Sequence, residues 1–313
     1  MMKKDISVVI PAYNERENIP VLMSQLEKIE IPGKSFEVIF VDDGSNDGSF
    51  ETLRDLKKRG ADIRIIRFRR NFGQTAAIAA GFDHAVGDII ITMDADLQND
   101  PADIPVLVSE MEKGYDVVSG WRTRRKDNLL ARKIPSWFAN AIISRYTGVR
   151  LHDYGCTLKA YKKELTEDIN LYGELHRFMP ALMSWQGAAI KEIPVNHRQR
   201  RYGKSKYDIF RTVNVILDLL TVKFLLSSTK GPMQIFGRMG LWSVLSGVLS
   251  GFATIAMKLI KGTDMTGNPL LYLAVFFVFA GMQFISTGLL GEINIRIYSE
   301  SRGKKIYAIR EIL

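Results

Sequence analysis

Along the first half of the chain, short β-branched runs alternate with longer stretches whose apolar positions recur every three or four residues. Residues 6–11, 36–41, 63–68 and 88–93 read as buried strands, each closed by polar or turn-forming residues. Between them, residues 17–29 carry Ile19, Leu22, Met23, Leu26 and Ile29 at helical spacing. Residues 50–58 and the Ala-rich 74–85 also read as helices. This alternation predicts an α/β domain: a mostly parallel sheet with helices on both faces. Ligands of such sheets lie beyond the carboxyl ends of the strands. Three polar loops fall there, at Asn14-Glu15, at Asp42-Asp43 and at residues 94–98.

Further along, Val117-Val118-Ser119 and residues 159–161 and 190–195 suggest more strands, and 136–146 a helix. Residues 207–226 form a long amphipathic segment, with Asp208, Arg211, Asn214, Asp218 and Thr221 at helical spacing against a broad apolar face. Its place ahead of two uncharged stretches predicts a helix lying on a membrane surface. Residues 239–257 carry no formal charge over 19 positions, about 28 Å as a helix. Residues 265–291 carry none over 27 positions, about 40 Å by the same rise. A hydrocarbon core is about 30 Å thick, so both are expected to span one.

Charge then orients the pair. Lys223, Lys230 and Arg238 precede it and Arg296, Arg302, Lys304, Lys305 and Arg310 follow it, while the connector holds only Lys258, Lys261 and Asp264. By the positive-inside rule both ends are expected in the cytosol. The net charge of +9 is concentrated at 122–133, at 197–206 and after Arg296, which suits phosphates on a nucleotide or a lipid. No helix-turn-helix, zinc-finger or RNA-binding aromatic pattern accompanies it, so nucleic acid is not an expected partner. The single cysteine, Cys156, precludes an intrachain disulfide and fits a reducing compartment. The apolar run after Met1-Met2-Lys3-Lys4-Asp5 ends at Pro11, too short for a secretion signal.

The chemistry-bearing residues cluster at the predicted strand ends. Asp94-Ala95-Asp96 puts two carboxylates on one side of an extended segment, where they could share a hard cation, Mg²⁺ or Mn²⁺. Gln98 follows on the same side as a candidate third ligand. The alternative is a solvated acidic turn; the strand leading straight into it argues for a site. Asp42-Asp43-Gly44-Ser45 loosely resembles a calcium loop, but its twelfth position is Arg54 where a bidentate Glu is required. A carboxylate there fits a ribose hydroxyl or a base N–H. No Gly-x-Gly-x-x-Gly or Gly-Lys-Thr cradle is present, so a pyrophosphate needs metal and basic side chains. Arg122, Arg124, Arg125, Arg132 and Lys133 form one basic cluster, and Arg198, Arg200, Arg201, Lys204 and Lys206 another. Gly203 suggests a loop able to close over phosphates. Asp153 is a candidate base or a group that orients the nucleophile, with a capping role as the alternative. His84, His152, His176 and His197 lack metal-ligand spacing.

Val8-Val9-Ile10-Pro11-Ala12-Tyr13-Asn14-Glu15, Val41-Asp42-Asp43-Gly44-Ser45 and Asp94-Ala95-Asp96-Leu97-Gln98 together resemble glycosyltransferase family 2, with its GT-A nucleotide-sugar-binding fold. Asp153-Tyr154-Gly155-Cys156 and Arg200-Arg201-Tyr202-Gly203-Lys204-Ser205-Lys206, followed by a two-helix hairpin, resemble its polyprenyl-phosphate glycosyltransferases. Glu174-Leu175-His176-Arg177-Phe178-Met179-Pro180-Ala181-Leu182 is most similar to the bactoprenol glucosyltransferase branch; dolichyl-phosphate mannose synthases belong to the same group.

The resemblance implies roles by position. Pro11, Tyr13, Glu15, Val41 and Asp43 would line the nucleoside pocket, with Asp94, Ala95, Arg200 and Lys206 also on the donor. Asp94, Asp96 and Gln98 would hold the metal; Arg122, Arg132 and Ser136 the acceptor phosphate; Asp153 and Asp96 the catalytic positions. The implied layout is a catalytic domain over 1–202, an acceptor loop and juxtamembrane helices over 203–235, two transmembrane helices within 236–292 (about 239–258 and 266–291) and a basic cytosolic tail over 293–313. The implied reaction is inverting transfer of one hexose, glucose from UDP-glucose, to undecaprenyl or a related phosphate at the inner membrane of a bacterium. A processive polysaccharide synthase and a non-catalytic nucleotide-sugar-binding scaffold are the alternatives. Gln199-Arg200-Arg201-Tyr202 does not supply the Gln-x-x-Arg-Trp that processive relatives carry. A Gly/Ser-rich face of the first span (Gly240, Ser243, Ser246, Gly247, Ser250, Gly251) suits close packing against a neighbour, so a homo-oligomer is a further expectation.

Overall fold

The computed structural model describes residues 4–123, 144, 149–167, 169, 171, 175–199, 232–262, 268–300 and 305–313. The chain forms two compact units, Met1–Lys223 with Lys305–Leu313, and Phe224–Lys304. In the first, β1 (Ile6–Ala12), β2 (Phe36–Asp42), β3 (Ile63–Phe68) and β4 (Ile89–Thr92) pair in parallel in the order β4-β1-β2-β3. They are joined by α1 (Asn18–Leu26), α2 (Ser49–Lys58) and α3 (Gln74–His84). The strands read as unbroken Val/Ile runs because both faces are covered: Val8, Val9, Ile10, Ile39, Phe40, Ile90 and Ile91 are all buried.

The rest of the sheet is mixed. After α4 (Ile104–Glu112) come β5 (Val117–Trp121), β6 (Lys159–Lys162), α5 (Lys163–Glu167), α6 (Met179–Trp185) and β7 (Ile190–Pro194). Strand β6 runs antiparallel to both β4 and β5, whereas β5 and β7 are parallel. The expected strands all form, with end shifts of one or two residues; α4 had no counterpart in the sequence reading.

Residues 293–313, expected to form a separate tail, do not. The second helix of the other unit continues to Glu300, and β8 (Ile309–Ile312) then pairs antiparallel with β3 as the eighth strand of the sheet. Arg310 and Glu311 make β8 look like a charged tail, yet Ile309 and Ile312 lie in register with Phe68 and Ile66. The juxtamembrane segment 207–226 lies outside the described residues.

The other unit is a helical hairpin of α7 (Pro232–Lys261) and α8 (Pro269–Glu300). Met233–Ile260 and Pro269–Gly291 are long and apolar enough to cross a membrane, and only 11% and 17% of their most apolar windows are buried within the protein. Core helices would hide such surface; here Trp242, Phe252, Leu259 and Phe279 stand exposed. Three of the small residues of α7, Gly240, Ser243 and Gly247, pack closely against α8. A Cβ on Gly240 would lie 2.8 Å from the Gly281 carbonyl oxygen, and one on Gly247 2.8 Å from that of Ala274. Ser243 Oγ donates to the Phe277 carbonyl at 2.8 Å across the same seam.

Candidate active site

Strand β1 has β2 on one side and β4 on the other, because the chain winds outward through β3 and then returns across β1. The loops after β1, β2 and β4 therefore diverge around a crevice at the carboxyl edge of the sheet. The first two are laced together. Ser45 Oγ accepts from the Asn14 N–H at 3.0 Å, Ser49 Oγ accepts from the Glu15 N–H at 2.9 Å, and Asn14 Oδ1 accepts from the Asn46 N–H at 3.0 Å. Glu15 is buried and its carboxylate accepts from the Asn18 amide. Asp43, also buried, accepts from the N–H groups of Phe72 (2.7 Å) and Gly73 (2.9 Å). Its carboxylate thus fixes the loop that opens α3, in addition to any role toward a nucleoside.

The acidic pair lies just past β4. The expectation that alternation along a strand sets Asp94, Asp96 and Gln98 on one side needs correction, because the strand ends at Thr92 and Leu97 turns the chain with φ = 63°. The turn is closed by the Gln98 N–H donating to Asp96 Oδ1 at 3.1 Å. Asp94 is gripped at both oxygens, by Gln74 Nε2 at 2.7 Å and by Thr157 Oγ1 at 2.8 Å. Burial first, and the Asp96 charge second, push the Asp94 carboxyl up to about 7. Two carboxylates held together against their own repulsion form a donor set that a divalent cation would relieve. Among the described residues no third His, Cys, Asp or Glu joins them, so remaining ligands would come from Gln98, water or substrate.

A second cluster faces the same crevice from β5. Arg122 Nε and one terminal nitrogen donate to the two oxygens of Asp153 at 2.6 and 2.9 Å, a bidentate pair with side chains only 12% and 5% exposed. Arg122 also acts electrostatically on Asp94, so the two clusters belong to one site. Behind Asp153, Glu192 of β7 accepts from the His152 N–H (2.8 Å), the Asp153 N–H (3.0 Å) and His152 Nδ1 (2.7 Å). The His152 ring stacks on Trp121 with centroids 4.2 Å apart.

Residues 7–169 match the family described as glycosyl transferase family 2. The chain belongs to glycosyl transferase family 2. It is 41% identical to a dodecaprenyl-phosphate galacturonate synthase of Rhizobium johnstonii, over 98% of this chain and 93% of that protein. It is 40% identical to an undecaprenyl-phosphate 4-deoxy-4-formamido-L-arabinose transferase of Pseudomonas fluorescens, over 98% and 89%. Among solved structures, it resembles glucosyl-3-phosphoglycerate synthase of Mycobacterium tuberculosis with Mn²⁺ and UDP bound (TM-score 0.55, 19% identity, 70% of this chain and 80% of that one). A mannosyltransferase of Pyrobaculum calidifontis with GDP-mannose and Mn²⁺ matches over 98% of this chain and 78% of its own (TM-score 0.55, 16% identity). The fold is GT-A, with a mixed sheet and two C-terminal apolar helices.

In this family 2 chain, Tyr13 and Glu15 follow β1, Asp94, Ala95, Asp96 and Gln98 follow β4, and Arg122, paired with Asp153, follows β5; Glu15, Asp96 and Arg122 all act electrostatically on Asp94. Pro11 and Val41 lie within β1 and β2, paired in register, and Val41 is fully buried. Arg132, Ser136, Arg200 and Lys206 lie outside the described residues. The partners that hold the site, Gln74, Thr157 and Glu192, were not anticipated. Each is 20, 63 or 39 residues from the carboxylate or loop it grips. Only the fold brings them together.

Proposed function

We propose that the chain transfers a single sugar from a UDP-sugar to a polyprenyl phosphate, with inversion at the anomeric carbon, at the surface of a membrane crossed by α7 and α8. The observation that carries this reading is the juxtaposition of the Asp94/Asp96 pair with the Arg122–Asp153 pair in one crevice. One suits a diphosphate bridged by metal; the other offers a guanidinium fork to a phosphate monoester. Relatives about 40% identical over nearly the whole chain, named for dodecaprenyl- and undecaprenyl-phosphate, support that acceptor class.

The acceptor's phosphate oxygen attacks the anomeric carbon opposite the bond to the departing UDP. A phosphate monoester, with its second pKa near 6, is already largely dianionic at neutral pH and needs no strong base. Asp153 fits this economy, since both its oxygens are engaged by Arg122. It orients that guanidinium rather than taking a proton. Mg²⁺ or Mn²⁺, held by Asp94 and Asp96 with the donor's diphosphate oxygens and with Gln98 as a candidate ligand, would offset charge developing on the leaving UDP. Gln74 and Thr157 keep Asp94 aimed through that change.

The test is direct. The protein in lipid vesicles with a short polyprenyl phosphate is given UDP-glucose, UDP-galacturonate, UDP-linked 4-deoxy-4-formamido-L-arabinose and GDP-mannose. Transfer of one sugar from a UDP donor is expected, lost in excess chelator. Asp96→Ala is expected to lower turnover by about 10²–10³-fold, as when one electrostatic stabiliser of a leaving group is removed, while the protein still folds. Absence of transfer from every donor overturns the function. Wild-type turnover in chelator overturns the metal assignment.

A further inference from the structure

From the contacts of the 152–153 turn, we infer that Glu192 is a positioning residue for the acceptor end of the site. This rests on the reading above that Arg122 receives the acceptor phosphate. Glu192 stands on β7, whose register with β5 sets Glu192 opposite Ser119 and Pro194 opposite Trp121. Its side chain is only 10% exposed. It accepts from two consecutive backbone N–H groups, His152 and Asp153, and from the imidazole Nδ1 of His152. A carboxylate receiving several N–H donors from one turn fixes both the position and the direction of that turn.

What the turn carries is the functional point. Asp153 follows His152 directly, and its two oxygens set the plane of the Arg122 guanidinium. The His152 ring, held by Glu192, lies on Trp121 with 17° between the planes, and Trp121 is bonded to Arg122. Glu192 therefore acts on Arg122 along two routes, through Asp153 from the front and through the His152–Trp121 stack from behind. The hydrogen bonds that hold Asp94 and Asp96, from Gln74, Thr157 and Gln98, are separate from these contacts, although the Arg122 charge also acts on Asp94. Loss of Glu192 should consequently loosen the acceptor end more than the donor end.

The experiment compares Glu192→Gln, Glu192→Ala and His152→Ala with the parent protein in vesicles, varying UDP-sugar and polyprenyl phosphate separately. Glu192→Gln keeps the size of the side chain but turns one acceptor into a donor facing N–H groups. The acceptor KM should rise on the order of tenfold, as expected for a binding group displaced by a fraction of an ångström, while the donor KM stays within about twofold. Glu192→Ala should do the same to a larger extent. His152→Ala should show a smaller rise, because the backbone contacts remain. Thermal unfolding is followed in parallel. Unchanged acceptor KM in both Glu192 variants overturns the inference, as does a proportional loss at both substrates with a lowered midpoint, which would mark Glu192 as merely structural. Arg122→Ala separates the two levels. If it leaves the acceptor KM unchanged, the acceptor reading itself fails; if it raises that KM and the Glu192 variants do not, only the inference about Glu192 fails.

Discussion

Lys159 shows at the residue scale how the site's surroundings constrain one another. It opens β6, 2% exposed, with Nζ donating to the Tyr154 carbonyl at 3.1 Å. Burial pushes its ammonium down to about 8, only partly countered by Asp153. Below that pH the folded and unfolded states are both protonated and the fold bears the full cost of a buried charge. Between about 8 and the ordinary lysine value of 10.5 the folded protein gives up its proton first. The unfolded chain then holds more protons, so this group's contribution to stability rises with pH. Lys159→Met keeps most of the length and removes the charge. Its unfolding free energy at neutral pH is expected above that of the parent, by on the order of 1 kcal/mol, because the orphaned Tyr154 carbonyl offsets part of the gain. The gap should close as the pH climbs through that window, and a gap that widened would refute the account. Residues of this kind show where sequence reading stops. Asp94, Asp96, Arg122 and Asp153 were legible because charges at strand ends are conspicuous. Lys159 read only as part of a strand, and Gln74, Thr157 and Glu192 are ordinary polar residues whose roles arise from sheet closure.

At the scale of elements, the alternating pattern was legible almost throughout, because strands covered on both faces leave continuous apolar runs. The loops were legible in composition but not in geometry. Alternation failed at residues 94–98 because a left-handed Leu97 ends the extended path. The Asp42-Asp43-Gly44-Ser45 loop is the opposite case, where a glycine has a definite structural cause. Gly44 has φ = +73°, and a Cβ there would lie 2.5 Å from the Arg70 carbonyl carbon. The β2 loop thus presses on the β3–α3 loop, and Asp43 binds the same loop through Phe72 and Gly73. Gly44→Ala combines left-handed strain with a backbone clash that no rotamer relieves, and is expected to cost about 2–4 kcal/mol. Because Gln74 follows that loop and holds Asp94, UDP affinity should fall together with the unfolding midpoint. Titration of UDP into the variant below its midpoint checks this, and parent-like affinity would uncouple the two loops.

The whole molecule is organised by a chain that leaves its catalytic sheet, forms the α7–α8 hairpin and returns to the same sheet as β8. That return was illegible because Ile309–Ile312 is short and half charged, and its partner β3 lies more than 200 positions earlier, as in the Arg67–Glu311 hydrogen bond. Without β8, β3 would be an open edge with Phe68 exposed; instead Tyr307 stacks on Phe68 at 5.1 Å and its hydroxyl donates to Asp83. Leu313 and Ile65 exchange backbone hydrogen bonds at 2.9 Å in both directions. Removing residues 305–313 therefore strips a large aromatic contact worth roughly 1.5–3 kcal/mol and several ladder bonds from an edge. The truncated protein is expected to insert normally, to unfold several degrees lower and to aggregate through the bared β3 edge. No residue of the crevice belongs to β8, so transfer per folded molecule at low temperature should stay near the parent value. Light scattering and unfolding midpoints in detergent, with turnover measured on the monodisperse fraction, test both halves of that expectation. Equal midpoints would mean that β8 adds nothing to the sheet. Lost turnover at an intact midpoint would mean that the return strand reaches the crevice by a route its contacts do not suggest.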